Sequence, residues 1–176
     1  MRDQVLWVDL LARLTGIGRS DKIADWLGNI PLLEGLPPRD RHHLARMLHK
    51  RTYDPGETVF RQGDIGSGMY LIFQGRVRIV SEDDARGEMQ LALLEEAECF
   101  GELSLLDHAP RSASAIAVGK CILYGLFEGD LDQLERTRPQ IATRILRNIG
   151  LSTALRLRQT NERLRELEES TSRVPL

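Results

Sequence analysis

The chain has 176 residues, enough for one domain with flanking helices around a proper core. Its 24 basic and 26 acidic residues leave a net charge of −2, which exerts no global pull toward nucleic acid or anionic membranes. Only two cysteines occur, Cys99 and Cys121, so a disulfide framework is not expected, and no apolar run reaches the roughly 18–20 residues of a membrane span.

The first zone, Met1 to Arg51, is helical in pattern. MRDQVLWVDLLARLTGIGR carries charges through its apolar stretch, unlike a secretory leader. Trp7, Leu10, Leu11 and Leu14 recur at i, i+3, i+4 and i+7, a stripe that one helix can bury. Gly16 and Gly18 interrupt it, and Ser20 is placed to cap a short helix through Trp26. Pro37 and Pro38 then open a helix with Leu44, Met47 and Leu48 on one side.

The second zone, Thr52 to Phe127, reads as β structure. Segments Glu57 to Arg61, Met69 to Phe73, Arg76 to Val80 and Met89 to Leu94 are punctuated by Gly56, Gly63, Gly66, Gly68 and Gly75. Ala113 to Val118 and Cys121 to Leu126 are separated by Gly119-Lys120, a two-residue hairpin candidate. Short strands at even spacing predict a sandwich or jelly-roll barrel.

The third zone is helical again. Asp130 starts a short helix through Arg136, and Pro139 opens a second one running to about Glu169. On its heptad frame Leu146, Leu157, Leu164 and Leu167 take a and d positions with Thr143, Gly150, Thr153 and Thr160. Arg163 and Glu168 fall where charges pair between parallel helices. The pattern fits either a dimerisation helix or a helix packed within one chain.

Between Ala97 and Ile116 the β pattern gives way to ECFGELSLLDHAPRSASAI. Gly101 removes a side chain where a ligand would approach the backbone. Leu103 to Leu106 form a helical turn whose free amides favour an anion. Glu102 can accept hydrogen bonds from hydroxyls. Pro110 fixes the entry to Arg111, whose guanidinium can clamp a phosphate. Ser112 adds a hydroxyl and Ala113 keeps the wall clear. A sugar-hydroxyl acceptor beside a phosphate clamp suits a nucleotide whose phosphate lies close to its ribose. The alternative is a surface ion pair between Glu102 and Arg111.

FGELSLLDHAPRSASA resembles the phosphate-binding cassette of the cyclic-nucleotide-binding domain family, which includes bacterial catabolite activator protein and protein kinase A regulatory subunits. YDPGETVFRQGDIGSGMYLIFQGRV, Tyr53 to Val77, resembles that family's first hairpins, and the resemblance extends over roughly Leu32 to Arg165. It implies a mainly β fold with flanking helices. An antiparallel, eight-stranded jelly-roll β-barrel would stand between N-terminal helices and a long C-terminal helix. The implied division is 1–31 as a helical segment, 32–137 as the cyclic-nucleotide-binding unit, and 138–176 as lid helix and tail. By position, Glu102 would accept the ribose 2′-hydroxyl and Arg111 would neutralise the cyclic phosphate. Gly101, Leu103 and Ser104 would offer amides, and Ser112 would donate to the phosphate. The purine would lie against Ile79, Leu91 and Leu93 under the C-terminal helix. With a few extra residues in the helix, the resemblance sets Thr160 and Asn161 in company similar to the Thr-Ser pair that touches adenine across the dimer in catabolite activator protein; the alternative is a merely solvated Asn161. Members preferring cyclic GMP more often carry threonine at the Ser112 position, so cyclic AMP is favoured.

The family's transcription factors place a helix-turn-helix domain after the long helix. Few residues follow Glu169 here, so direct DNA binding is not expected. Arginines along that helix read as a solvated face with pairs such as Arg158–Glu162 and Arg165–Glu169. His42, His43 and His49 read as surface histidines on a helix before the strands and His108 stands alone, so no metal site or cofactor is expected. No nucleophile and base pair up, which argues against an enzyme. Two functions remain. One is a cytoplasmic cyclic-nucleotide sensor, dimeric through its last helix, that signals to an unidentified downstream protein by repositioning that helix. The alternative is a ligand-independent interaction scaffold, or a regulatory fragment of a larger protein.

Overall fold

The computed structural model describes residues 17–83 and 87–172. Helix α1 (Ile17–Leu27), a 3-10 turn (Pro31–Leu33) and α2 (Pro38–Met47) come first. Strands β1 (His49–Tyr53), β2 (Thr58–Phe60), β3 (Gly68–Gln74), β4 (Val77–Asp83), β5 (Gly87–Leu94) and β6 (Cys99–Phe100) follow. A short α3 (Ser104–Asp107) precedes β7 (Ser114–Ala117) and β8 (Cys121–Phe127), and α4 (Glu128–Thr137) and α5 (Pro139–Ser172) complete the order. No helix among the described residues is long and apolar enough to cross a membrane.

Local chemistry explains the helix starts. Pro38 and Pro139 each open a helix, where a missing N–H costs nothing. The Asp130 carboxylate caps α4 by accepting the Phe127 N–H at 2.9 Å, so that helix begins two residues before Asp130. Ser20 does not cap α1, because the chain is already helical from Ile17 and Gly18 lies inside the helix. The stripe Trp7, Leu10, Leu11 and Leu14 lies outside the described residues.

The strands form two antiparallel four-stranded sheets, β1-β8-β3-β6 and β2-β7-β4-β5. The expected closed jelly-roll barrel is not what forms. Each sheet keeps two edges, β1 and β6 in one and β2 and β5 in the other, and closure would need a ladder joining them. The mainly β description is corrected too. Glycine-punctuated strands are short, and α5 alone spans 34 residues, so helical residues outnumber strand residues in a mixed α/β fold. Nor do β7 and β8 form a hairpin across Gly119-Lys120. β7 pairs with β2 and β4, whereas β8 pairs with β1 and β3 in the other sheet.

The first sheet is covered on both faces. Ile72, Val77, Phe100, Ala115, Ala117, Cys121 and Leu123 pack between the sheets. On the far side Met69, Leu71 and Leu126 meet Ile23 and Leu27 of α1, Leu44 of α2, Leu131 and Leu134 of α4, and Ile141, Ile145 and Ile149 of α5. Those three isoleucines recur at i, i+4 and i+8, so burial holds only the first turns of α5 against the body. Beyond them Leu157 and Leu164 are more than half exposed, and nothing further is described for the Leu167 side chain. The pairs Arg158–Glu162 and Arg165–Glu169 do not form among the described residues, because water competes well for exposed ions.

Candidate functional site

The chain leaves β6 through Gly101, turns over Glu102 and Leu103, runs through α3 and returns by Pro110 to β7. Gly101 has φ +74°, and a Cβ there would stand 2.6 Å from Nη1 of Arg111. Only glycine combines that backbone with that approach. α3 begins at Ser104, one residue later than the sequence pattern, and His108 ends it in the left-handed conformation at φ 52°.

Arg111 is buried, with 8% of its surface exposed. Nη1 donates to the Gly101 carbonyl at 2.8 Å and to Ser104 Oγ at 2.9 Å, and Nη2 donates to the Gly68 carbonyl at 2.6 Å. The Phe60 ring lies 4.1 Å from the guanidinium carbon, a cation–π contact. Three of the five guanidinium N–H groups are therefore spoken for. Nε is buried without any hydrogen-bond partner. Burial lowers the arginine's pKa from its ordinary value, while Tyr70, Asp64 and Glu102 act in the opposite direction.

Glu102 is also buried, at 3% exposure, but it does not pair with Arg111. Its Oε1 accepts from Nη1 of Arg156 at 2.6 Å. Arg156 comes from α5, 54 positions further along the chain. The alternative of a surface Glu102–Arg111 ion pair is thus not what forms, and Glu102 instead bonds the cassette to the long helix. Arg156 was not singled out in the sequence, yet a signal exists. It lies seven residues after Ile149 and eleven after Ile145, so it prolongs the buried face of α5.

These groups line one cavity of about 530 Å³. Gly101, Glu102, Leu103, Ser104, Arg111, Ser112 and Ala113 all border it, as do Phe60 and Arg156. The amides of Glu102 and Leu103 meet no protein acceptor among the described residues. The Ser104 hydroxyl, by contrast, belongs to an internal network, bonding the Gly101 and Gly68 carbonyls at 2.9 and 3.2 Å.

The apolar wall is formed by Ile79, Ala92 and Leu94. Leu91 and Leu93 fall on the other face of β5, 52% and 40% exposed. Strand side chains alternate, so a one-residue error in facing exchanges the whole set. Here β4 and β5 pair Ile79 with Ala92, and the register shifts between Ile79 and Val80. Thr160 and Asn161 are exposed and outside the cavity, and the Thr160 hydroxyl donates to the Arg156 carbonyl at 2.9 Å.

Other titratable groups have separate roles. Cys99 borders the cavity, but burial, with Glu102 adding and Arg156 opposing, pushes its thiol up to about 12. It is not a nucleophile near neutral pH. His42 Nε2 lies 3.3 Å from Asp21, His49 Nε2 3.1 Å from Asp130, and His108 Nδ1 3.3 Å from Glu128. His49 opens β1 instead of lying on the preceding helix, and His43 is half-buried in place of the surface histidine expected there. Its Nε2 is buried without a partner, and burial, with Arg138 and Arg46, lowers its pKa.

Comparison with known proteins identifies relatives of the chain. The family model described as the cyclic nucleotide-binding domain matches residues 50–138. The cyclic AMP receptor protein of Thermus thermophilus is 39% identical over 146 residues, covering 82% of this chain and 66% of the relative. A cAMP-dependent protein kinase type II regulatory subunit of Drosophila melanogaster is 40% identical over 94 residues, covering 53% of this chain and 24% of the relative. Among solved structures, the Thermus thermophilus catabolite activator protein superposes with a TM-score of 0.71 at 38% identity, covering 78% of this chain and 63% of that one. The chain spans less than two thirds of the length of these relatives. By name these relatives are a receptor, an activator and a kinase regulatory subunit. This protein belongs to the cyclic-nucleotide-binding domain family.

Proposed function

We propose that the protein senses cyclic AMP in preference to cyclic GMP and passes the signal on through its long C-terminal helix. The observation that carries this reading is a pair of buried, opposite charges on one cavity, Arg111 and Glu102, that are not bonded to each other. Arg111 and Ser112 would take the cyclic phosphate, with Nε and one Nη2 hydrogen supplying the two donors that a phosphate edge accepts. Glu102 would accept the ribose hydroxyl, and the purine would lie against Ile79, Ala92 and Leu94. The volume suits such a ligand, since small-molecule sites occupy roughly 300–1,000 Å³.

The division into a sensing part, 32–137, and a transmitting part, 138–176, follows from the same reading. A ribose on Glu102 must share or displace Arg156, so the ligand interacts differently with two positions of α5. That difference is what a population shift requires, with α4 as the hinge. Leu157, Thr160, Leu164 and Leu167 would join two copies, which would bring Thr160 and Asn161 toward the partner's ligand. The output goes to a downstream protein.

Isothermal titration with each cyclic nucleotide tests the reading. Saturable binding, tighter for cyclic AMP, is expected. Heat from neither ligand would remove it and leave a scaffold, a role favoured by the three protein bonds that already hold Arg111 in place.

A further inference from the structure

The bond between Glu102 and Arg156 reaches α5, yet the hinge of the proposed signal is α4, which begins at Glu128. Two arms connect that first turn to the cassette. One runs through the main chain just before β3. The Glu128 N–H donates to the Ser67 carbonyl at 2.9 Å, and the next carbonyl, that of Gly68, accepts from Arg111 Nη2 at 2.6 Å. This stretch has no slack. A Cβ on Gly66 would overlap the Ser104 side chain, and one on Gly68 would stand 2.5 Å from the Leu126 carbonyl oxygen. Contacts this close transmit a displacement instead of absorbing it.

The second arm is a side chain. His108 Nδ1 stands 3.3 Å from Oε1 of Glu128. His108 ends α3 at φ 52° and ψ 19°, a left-handed conformation that glycine or asparagine adopts more readily. Ala97 and His108 are the only non-glycine residues with positive φ among the described residues. The two side chains of the pair are 61% and 50% exposed, so water competes for it and it adds little to folding. A side chain that strains the backbone and adds little stability marks a position with another use.

We propose that His108 is a positioning residue that clasps the first turn of α4 to the cassette, so that a ligand on Arg111 also fixes the hinge. This rests on the reading of the cavity as a cyclic-nucleotide site. A phosphate bound to Arg111 restrains the guanidinium that holds the Gly68 carbonyl. The same ligand orders the turn of α3 that His108 closes. Both arms then meet on Glu128, one at its N–H and the other at its carboxylate. Arg156 serves the distal part of α5, whereas the clasp serves α4. A ligand that tightens one end of the clasp thereby acts differently on two positions of the hinge, which is what a shift between them requires.

Hydrogen exchange with and without cyclic AMP tests the clasp, read as the difference that ligand makes over Glu128 to Thr137. In the wild type, ligand should slow exchange over both Gly101 to Ser114 and α4. His108→Gly relieves the left-handed strain and removes the imidazole. That variant should still bind cyclic AMP in calorimetry, keep the slowing over the cassette and a urea midpoint at least as high, and lose the slowing over α4. His108→Lys returns a cation opposite Glu128 and should restore it. Slowing over α4 that survives His108→Gly overturns the clasp, as does His108→Lys without recovery. A fall in the urea midpoint of His108→Gly, with α4 exchanging faster even without ligand, also overturns it, since the contact is then a structural tie only. Cyclic AMP that gives neither heat nor slowing in the wild type removes the sensing reading and the clasp with it. Heat and cassette slowing with a wild-type α4 indifferent to ligand remove the clasp alone.

Discussion

Arg111→Ala is expected to remove cyclic-nucleotide binding and to loosen the cassette as well. Two guanidinium N–H groups are left for a phosphate after the bonds to Gly101, Ser104 and Gly68. Two charge-assisted bonds at about 1.5–3 kcal/mol each set a loss of about 3 kcal/mol or more, at least roughly a hundredfold in Kd. The structural effect is separate. The Ser104 hydroxyl has one proton and can serve only one of the Gly68 and Gly101 carbonyls, so alanine strands the other. A stranded carbonyl costs about 1–3 kcal/mol of folding stability. Arg111→Lys should keep part of the stability through one ammonium bond, yet lose affinity, because a point charge cannot supply the planar fork or its packing on Phe60. Titration calorimetry with cyclic AMP reads the first effect and urea unfolding the second. A folded Arg111→Ala protein with wild-type affinity would refute the assignment of Arg111 to the phosphate.

Arg156→Ala should uncouple the helix from the cassette: ligand would still slow hydrogen exchange over Gly101 to Ser114 but no longer over Ile149 to Asn161, and persistent slowing of the distal helix would show another route. The same change should cost more than the roughly 1 kcal/mol of a surface ion pair in urea unfolding, because it leaves the Glu102 carboxylate, 4% exposed, without its cation. Leu164→Asp should convert a dimer to a monomer in light scattering by placing an unpaired charge in the seam, and a monomeric wild type at high concentration would end that idea. His43 has its pKa lowered from 6.5, so the folded state binds fewer protons than the unfolded chain once pH falls below about that value. Its share of stability is present above pH about 6.5 and lost on acidification; His43→Gln should flatten that slope in unfolding curves compared at about pH 7.5 and 5.5, and parallel slopes would exclude His43 as a cause.

The sequence by itself determined what short-range chemistry controls. Pro38 and Pro139 mark helix starts because a fixed φ and a missing N–H act on the residue itself. Gly101 through Ala113 assemble around one cavity because they occupy one continuous turn, and adjacency in the chain becomes adjacency in space. Tertiary structure decided everything that needed a distant partner. Leu91 and Leu93 look as apolar as Leu94, and only the register of β4 on β5 turns Ala92 and Leu94 inward instead. Gly119-Lys120 has hairpin chemistry, but β7 pairs with β4 in one sheet and β8 with β3 in the other. Glu102 was legible as an acceptor for hydroxyls, whereas its burial and its partner Arg156, one of several arginines on α5, depend on how Ile145 and Ile149 pack and set that helix's rotation. Arg111 likewise reads as a free clamp in the sequence. The fold brings the Gly68 carbonyl, 43 positions away, within 2.6 Å of it, and turns the same side chain into a structural tie. Pattern and propensity are properties of neighbours in the chain, while charge pairing and strand facing depend on how separate elements pack.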